Sequence, residues 1–144
     1  MTEIHLNLTE TTVDGSRTER WELNAADCLE LAARRVSRLG IHHAVVPYRR
    51  VRVRPNGSFV LACFEGEGRV FLDGRWQTIR AGTICMAPPQ VLNAFHALPG
   101  KRWGFAWVRF AEPSPVSPLV SAGSPVRVKG DAEGLRRIVE GIRS

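Results

Sequence analysis

The most informative part of the chain runs from Phe59 to Phe110 and reads FVLACFEGEGRVFLDGRWQTIRAGTICMAPPQVLNAFHALPGKRWGFAWVRF. Short apolar runs alternate here with turn residues, most clearly at Asp73-Gly74, a pair typical of tight β-hairpins, and at Gly82. With the two runs just upstream, eight strands are predicted: His43 to Tyr48, Val51 to Arg54, Phe59 to Phe64, Arg69 to Asp73, Trp76 to Arg80, Thr83 to Ala87, Leu92 to Ala97 and Trp103 to Phe110. Eight closely spaced strands predict an all-β sandwich or barrel.

Helical patterns flank the strands on both sides. Upstream, residues 24–40 place apolar residues at helical spacing, with Asn24 or Asp27 as the N-cap and Gly40 as the end. Downstream, the prolines between residues 111 and 125 exclude a regular helix or a central strand and predict a connecting arm. Residues 131–143 then predict an amphipathic helix capped by Asp131. Its apolar stripe consists of Leu135, Ile138, Val139 and Ile142.

These patterns divide the chain into four segments. We expect an N-terminal arm and helix over 1–41, a β-barrel over 42–112, a Pro-rich connecting arm over 113–130, and the start of a linker or dimerisation helix over 131–144. The last helical pattern reaches Ser144 without a terminating signal, so we expect the chain to be part of a longer protein.

Composition fits one globular domain of 144 residues. No apolar run approaches the length of a membrane span, and the N-terminus lacks the features of a signal peptide. Three cysteines without a CxxC pair suit a reducing compartment, so we expect a cytoplasmic protein with no membrane partner. The net charge of +6 comes from 18 arginines spread in small groups, and this charge alone predicts no nucleic-acid surface.

Five features occur in a characteristic order: EGEG at 65–68, LDG at 72–74, Gly82, APP at 87–89 and WGFAWVRF at 103–110. In this order they resemble the N-terminal, effector-binding cupin domain of AraC-type transcriptional regulators. The resemblance implies a cupin-type double-stranded β-helix, a jelly-roll barrel, here with a short N-terminal helix and a C-terminal amphipathic helix. It also implies a small-molecule effector, a homodimer formed by helices, and DNA binding only through a helix-turn-helix domain that these residues do not contain.

Catalytic cupins hold a metal ion with histidines and a glutamate at fixed positions. In this sequence those positions correspond to Phe59, to Asn93 and to residues 52–55, and none of them carries a metal-binding side chain of that kind. His42 and His43 are adjacent and would face opposite sides of a strand. We therefore expect no catalytic residue, no metal and no cofactor.

Candidate ligand-binding residues follow from strand alternation and from the resemblance. Alternation gives Phe59, Leu61, Asn93 and Phe95 as lining residues when the inward side is set, from the resemblance, by the position at which catalytic cupins keep a histidine. The resemblance to the arabinose-responsive member implies effector contacts from Arg54, Phe95, Phe105 and Trp107. Aromatic walls with one amide and one guanidinium favour a flat or apolar molecule bearing a carboxylate over a sugar.

Two alternatives stay open for this site. The apolar candidates can equally be ordinary barrel core. Arg54 is solvated if Val51 and Val53 face the core, since it lies on the opposite side of the predicted strand.

The function predicted first is the effector-sensing and dimerisation domain of an AraC-type regulator, with Leu135, Ile138, Val139 and Ile142 forming the dimer. The alternative is a stand-alone, metal-free cupin-like binding protein whose terminal helix packs on its own barrel. A cupin isomerase or dioxygenase with an unusual site is a third hypothesis, which the absence of the expected metal ligands disfavours.

Overall fold

The computed structural model of the protein describes residues 8–112 and 118–143. The first seven residues of the predicted arm, residues 113–117 of the predicted connecting segment and Ser144 lie outside the described residues. The described ranges contain ten strands and two α-helices, with the bounds β1 Thr11–Val13, β2 Glu19–Asn24, α1 Leu29–Ala33, β3 Val36–Ala44, β4 Arg49–Arg52, β5 Phe59–Leu72, β6 Arg75–Arg80, β7 Thr83–Ala87, β8 Asn93–Ala97, β9 Trp103–Phe110, β10 Val126–Lys129 and α2 Ala132–Arg143.

All ten strands belong to one antiparallel sheet that curls into two facing layers. One layer has the order β1-β4-β8-β5-β6, and the other has the order β10-β7-β5-β9-β3-β2. Strand β5 belongs to both, because its first half pairs with β7 and β9 and its second half with β6 and β8. The main core fills the space between the layers.

The bend of β5 explains the EGEG motif. A register shift between Cys63 and Glu65 marks the bend, and Gly66 next to it has φ +66°. A Cβ at Gly66 would lie 1.8 Å from the carbonyl oxygen of Arg102. At Gly68 it would lie 2.2 Å from the indole ring of Trp103. Glycine is therefore required at both positions, and Trp103 is fully buried beside the bend.

The strand predictions agree with most of the structure. The Asp73-Gly74 hairpin joins β5 to β6, with Leu72 opposite Arg75. The two strands predicted at Phe59 to Phe64 and Arg69 to Asp73 form one strand, because the residues between them continue the ladder through the bend.

The helix predicted over 24–40 is wrong for most of its length. Only a 3-10 turn at Ala25–Asp27 and the five-residue helix α1 form, and Arg35 follows α1 in the left-handed region at φ 60°. From Val36 onward the chain forms β3, which is paired on both sides by β2 and β9. Asn24 ends β2 and makes no side-chain cap. Strand pairing overrides the local helical periodicity, so β1 to β3 add strands from within the segment expected to be an arm and helix.

Helix α2 matches its prediction closely. The Asp131 carboxylate accepts a hydrogen bond from the Gly134 N–H at 2.8 Å, as an N-cap does. The helix packs on the outer face of the β3 and β9 layer, where Val139 joins a second apolar cluster with Leu39, Ile41 and Val108. The strand β10 just before α2 pairs with β7.

Candidate functional site

A cavity of about 140 Å³ opens between the two layers of the sheet. Strands β1 to β5, β8 and β9 line it, together with the turn before β4. The lining residues are Thr12, Arg20, Glu22, Arg38, His42, Tyr48, Arg50, Arg52, Phe59, Phe95, Phe105, Trp107 and Arg109.

Aromatic rings form the inner wall of the cavity. Phe59 and Phe95 stack with their ring centroids 5.6 Å apart and their planes 8° apart. Phe105 meets Phe95 edge-on, and Trp107 lies beside Phe59 at a centroid distance of 6.3 Å. The Trp107 indole N–H is buried and has no hydrogen-bond partner among the described residues. The wall can therefore hold a flat apolar group.

A hydrogen-bonded chain of three polar side chains adjoins this wall. His42 Nε2 lies 2.9 Å from a Glu22 carboxylate oxygen, and His42 Nδ1 lies 2.8 Å from the Tyr48 hydroxyl. Burial lowers the pKa of His42, whereas the hydrogen bond from His42 lowers the pKa of Glu22 to about 2. The neutral imidazole consequently donates from Nε2 to the Glu22 carboxylate and accepts the Tyr48 hydroxyl proton at Nδ1.

Three arginines that line the cavity are compensated within the protein. The Arg50 guanidinium is almost fully buried and lies 2.6 Å from the Asp14 carboxylate and over the Tyr48 ring. Arg20 pairs with Glu22 at 3.2 Å. Arg38 donates to the Asn24 amide oxygen at 2.5 Å. Their charges are matched by carboxylate or carbonyl oxygens and are not free to bind another anion fully.

Two further arginines that line the cavity, Arg52 on β4 and Arg109 on β9, are not paired in this way. Within residues 8–112 and 118–143 neither guanidinium has an ion pair or a hydrogen bond, and the Arg52 Nε is buried without an acceptor. Burial, followed by the positive charge of Arg109, lowers the pKa of Arg52 to about 10. Burial and the charge of Arg38 lower the pKa of Arg109. The cavity thus holds two partly buried cations that form no ion pair within the described part of the chain, although the nearby Glu10 carboxylate acts to raise the pKa of both.

A second, much smaller space of about 10 Å³ lies deeper in the barrel. Leu61 and Asn93 line it, and the stacked pair Phe59 and Phe95 separates it from the larger cavity, because both rings border both spaces. The Asn93 side chain is almost fully buried, and neither its amide nitrogen nor its oxygen has a partner among the described residues.

Four of the seven residues predicted to bind ligand meet at the larger cavity: Phe59, Phe95, Phe105 and Trp107. Leu61 and Asn93 line the deeper space instead. Arg54 is exposed and lies outside both, because β4 ends at Arg52 and the strand alternation stops there. Arg52, two residues earlier and not predicted from the sequence, lines the cavity instead.

Some lining residues could have been found from sequence. Arg109 continues the alternation of Phe105 and Trp107 along β9 and therefore faces the same side. Arg20, Glu22 and His42 could not be found, because the helical interpretation of residues 24–40 concealed the pairing of β2 with β3.

Among the described residues, Cys63, Cys85 and His96 do not form a second site. Burial raises the pKa of Cys63 to about 11 and that of Cys85 to about 12, which leaves both thiols protonated. His96 is half-buried against Trp76 on the other side of β8 from Phe95. Within the described ranges, no three His, Cys, Asp or Glu residues lie close enough together to hold a metal ion.

The apolar stripe of α2 divides between two environments. Val139 is 1% exposed and Leu135 is partly buried, and both pack against the protein's own barrel. Ile138 and Ile142 are 64% and 41% exposed. In this conformation Val139 therefore cannot also contact a second copy of the chain, whereas the two isoleucines can.

The barrel, its bent shared strand and its cavity between two layers define a cupin. Residues 48–114 match the family model described as the AraC-like ligand binding domain, which confirms the resemblance seen in the sequence. Among curated proteins no match is found.

Solved cupin structures share the fold at low sequence identity. A predicted oxalate decarboxylase from Thermotoga maritima has 13% identity and a TM-score of 0.57 over 74% of this chain and 96% of its own. A cupin protein from Bacteroides fragilis has 19% identity and a TM-score of 0.51 over 79% and 94%. The polyketide cyclase RemF from Streptomyces resistomycificus has 18% identity and a TM-score of 0.55 over 83% and 85%. None of the described helices is long and apolar enough to span a membrane.

Proposed function

We propose that this chain is the effector-sensing and dimerising part of an AraC-type transcriptional regulator and has no catalytic role. The observation that carries the proposal is the cavity at the barrel mouth, where aromatic side chains and unpaired guanidinium groups meet within a match to the AraC-like ligand binding domain. The positions at which the resemblance places metal ligands hold Phe59 and Asn93, which supports binding over metal-dependent chemistry.

The sheet offers a short route from the cavity to helix α2. On β9, Phe105, Trp107 and Arg109 face the cavity, while Ala106 and Val108 face the apolar cluster that contains Val139. On β3, His42 faces the cavity and Ile41 faces the same cluster. A ligand that shifts β3 or β9 would therefore change the position of α2 on the sheet. This requires that the ligand binds the protein more tightly with α2 in one position than in the other.

We assign the dimer contact to the outer face of α2. Ile138 and Ile142 are one turn apart and exposed, so they can pack against the same residues of a second copy. Sedimentation velocity should show a dimer for the wild-type chain and a monomer for the double variant Ile138→Glu, Ile142→Glu. The variant Val46→Glu, which changes a similarly exposed apolar residue in the turn between β3 and β4, is the matched control and should remain dimeric. A wild-type monomer at every concentration, or a dimeric double variant, would refute this contact.

The proposed DNA-binding function requires a segment beyond these residues. An immunoblot of the source cells with an antibody against this domain should detect a protein larger by about the size of a helix-turn-helix module. A protein of only 144 residues would contradict this part of the proposal.

A second candidate function is a stand-alone, metal-free binding protein. One observation favours it: Leu135 and Val139 pack back on their own barrel, so α2 completes the domain without a partner. The same immunoblot separates the two candidates, because this one requires the smaller protein.

A further inference from the structure

The two unpaired arginines carry an inference about the kind of ligand, and it rests on the small-molecule function proposed above. Five guanidinium groups and one carboxylate line the cavity. Asp14, Glu22 and Asn24 compensate Arg20, Arg38 and Arg50. The Glu10 carboxylate lies near Arg52 and Arg109 at the outer groove but forms no ion pair or hydrogen bond with either guanidinium. Partly buried charges without partners are costly, so such a pair is typical of a site that receives its counterion from a ligand.

The positions of Arg52 and Arg109 also indicate that they bind a ligand. Arg52 belongs to one layer of the sheet and Arg109 to the other, and both line the cavity. Both also border the surface groove around Arg54 and Pro55, which places them at the outer end of the cavity, away from the stacked phenylalanines. A ligand would therefore meet charge at its outer end and aromatic rings at its inner end.

The residues that line the cavity contain buried polar atoms without partners among the described residues, and these atoms have one chemical character. The buried Arg52 Nε–H and Trp107 Nε1–H are both donors without acceptors in the described part of the chain. The Glu22, His42 and Tyr48 chain, by contrast, satisfies its own protons. The missing partner is therefore an acceptor, and a carboxylate fits the paired geometry of guanidinium groups.

The cavity volume limits the apolar part of the ligand. A cavity of about 150 Å³ in another protein accommodates one benzene molecule. The volume here is about 140 Å³, and Phe59, Phe95 and Trp107 supply flat walls. One aromatic ring matches the size of this space.

We propose that the cavity binds a one-ring aromatic carboxylate, with the carboxylate between Arg52 and Arg109 and the ring against Phe59, Phe95 and Trp107. Without the ligand, Arg52 and Arg109 have no ion-pair partner among the described residues of the site. In the absence of ligand, removing one of the two cations should leave the fold intact or stabilise it, because like-charge repulsion and desolvation are relieved.

Three probe molecules distinguish the contribution of the negative charge from that of the aromatic ring. Their binding to the 144-residue chain is measured by isothermal titration calorimetry. Benzoate has the ring and the charge, benzamide is its neutral analogue, and acetate has the charge without the ring. We expect benzoate to bind about tenfold or more tightly than either. Arg52→Gln and Arg109→Gln should each weaken benzoate binding by about tenfold or more, and Arg75→Gln, an exposed arginine outside the cavity, should leave it unchanged.

Each other outcome overturns the inference in an identifiable way. Equal binding of benzamide and benzoate removes the role of charge but leaves a small-molecule site, so the proposed function would survive. Equal binding of acetate and benzoate removes the role of the ring. Failure of benzoate to bind at about 1 mM overturns the ligand class, while the sedimentation test of α2 still decides the proposed function independently. A lower melting temperature of ligand-free Arg52→Gln would show that the guanidinium already has a partner within the chain, which also overturns the inference.

Discussion

Some polar side chains inside this barrel have hydrogen-bond partners among the described residues, and others have none. Glu22, His42 and Tyr48 satisfy one another through two hydrogen bonds of 2.9 and 2.8 Å. Asn93 is as deeply buried but has no partner in the described part of the chain. A buried polar group with partners stabilises the fold modestly, whereas one without partners carries its full desolvation cost.

The environment of Asn93 predicts an unusual effect of substitution. Asn93→Leu should raise the free energy of unfolding by about 1 kcal/mol, because it removes two unpaired polar atoms from an apolar space. Urea denaturation measures this change. Asn56→Leu, in an exposed turn, is the control and should change stability by less than about 0.5 kcal/mol. A loss of about 2 kcal/mol in Asn93→Leu would mean that a water molecule or ligand uses the amide.

The pair of Glu22 and His42 predicts how stability depends on pH. The pKa of Glu22 falls from an ordinary 4.5 to about 2 in the folded protein, so its contribution is complete above pH 4.5 and is lost as the pH falls towards 2. Burial lowers the pKa of His42 below its ordinary 6.5, so the unfolded chain takes up that proton first and stability also declines below about pH 6.5.

Glu22→Gln isolates the carboxylate part of this dependence. The glutamine can still accept the His42 N–H but leaves Arg38 without a carboxylate and Arg20 with Asp14 alone. We expect the variant to be less stable than wild type by about 2 kcal/mol near neutral pH, and the difference to disappear towards pH 2. Denaturant titrations at a series of pH values test this, and a difference that does not depend on pH would contradict it.

At the scale of single elements, β5 determines how the two layers join. Its bend depends on Gly66, whose φ is positive and whose Cα faces the Arg102 carbonyl group. Strand β9 and strand β3 in turn separate the cavity from α2, with alternate residues on each face. These strands therefore hold the shape of the site and its connection to the helix.

Substitution at the bend should be costly. Gly66→Ala introduces a Cβ against a backbone carbonyl oxygen at a left-handed residue, and we expect it to lower the free energy of unfolding by about 2 to 4 kcal/mol. Gly123→Ala, where a Cβ meets nothing within 4 Å, is the matched control and should be close to neutral. Equal melting temperatures of the two variants would contradict the assigned role of Gly66.

The elements also show what sequence could and could not predict. The hairpin at Asp73-Gly74 and the helix begun by Asp131 depend on local residue preferences, and both predictions are confirmed. Strand β3 depends on pairing with β2 and β9, partners distant in sequence, so its local helical periodicity was misleading. The sequence predicts Arg54 in the site, whereas the structure places Arg52 there. The end of β4 is set by tertiary contacts, which the local sequence does not show.

For the whole molecule, the cupin barrel holds a charged, aromatic cavity on one face of a layer and a helix on the other face. Along β3 and β9, successive residues alternate between the face that lines the cavity and the face that packs under α2. Only one sheet thickness therefore separates the proposed ligand from the proposed dimer contact at Ile138 and Ile142. Binding in the cavity should alter dimerisation if the helix has two positions with different ligand affinity.

The most direct test of this coupling is sedimentation equilibrium of the chain with and without saturating benzoate. We predict a change of about threefold or more in the dimer dissociation constant of the wild type, and no change in Arg52→Gln. A dimer dissociation constant that is the same with and without benzoate in the wild-type chain would contradict a ligand-sensing role for this cavity.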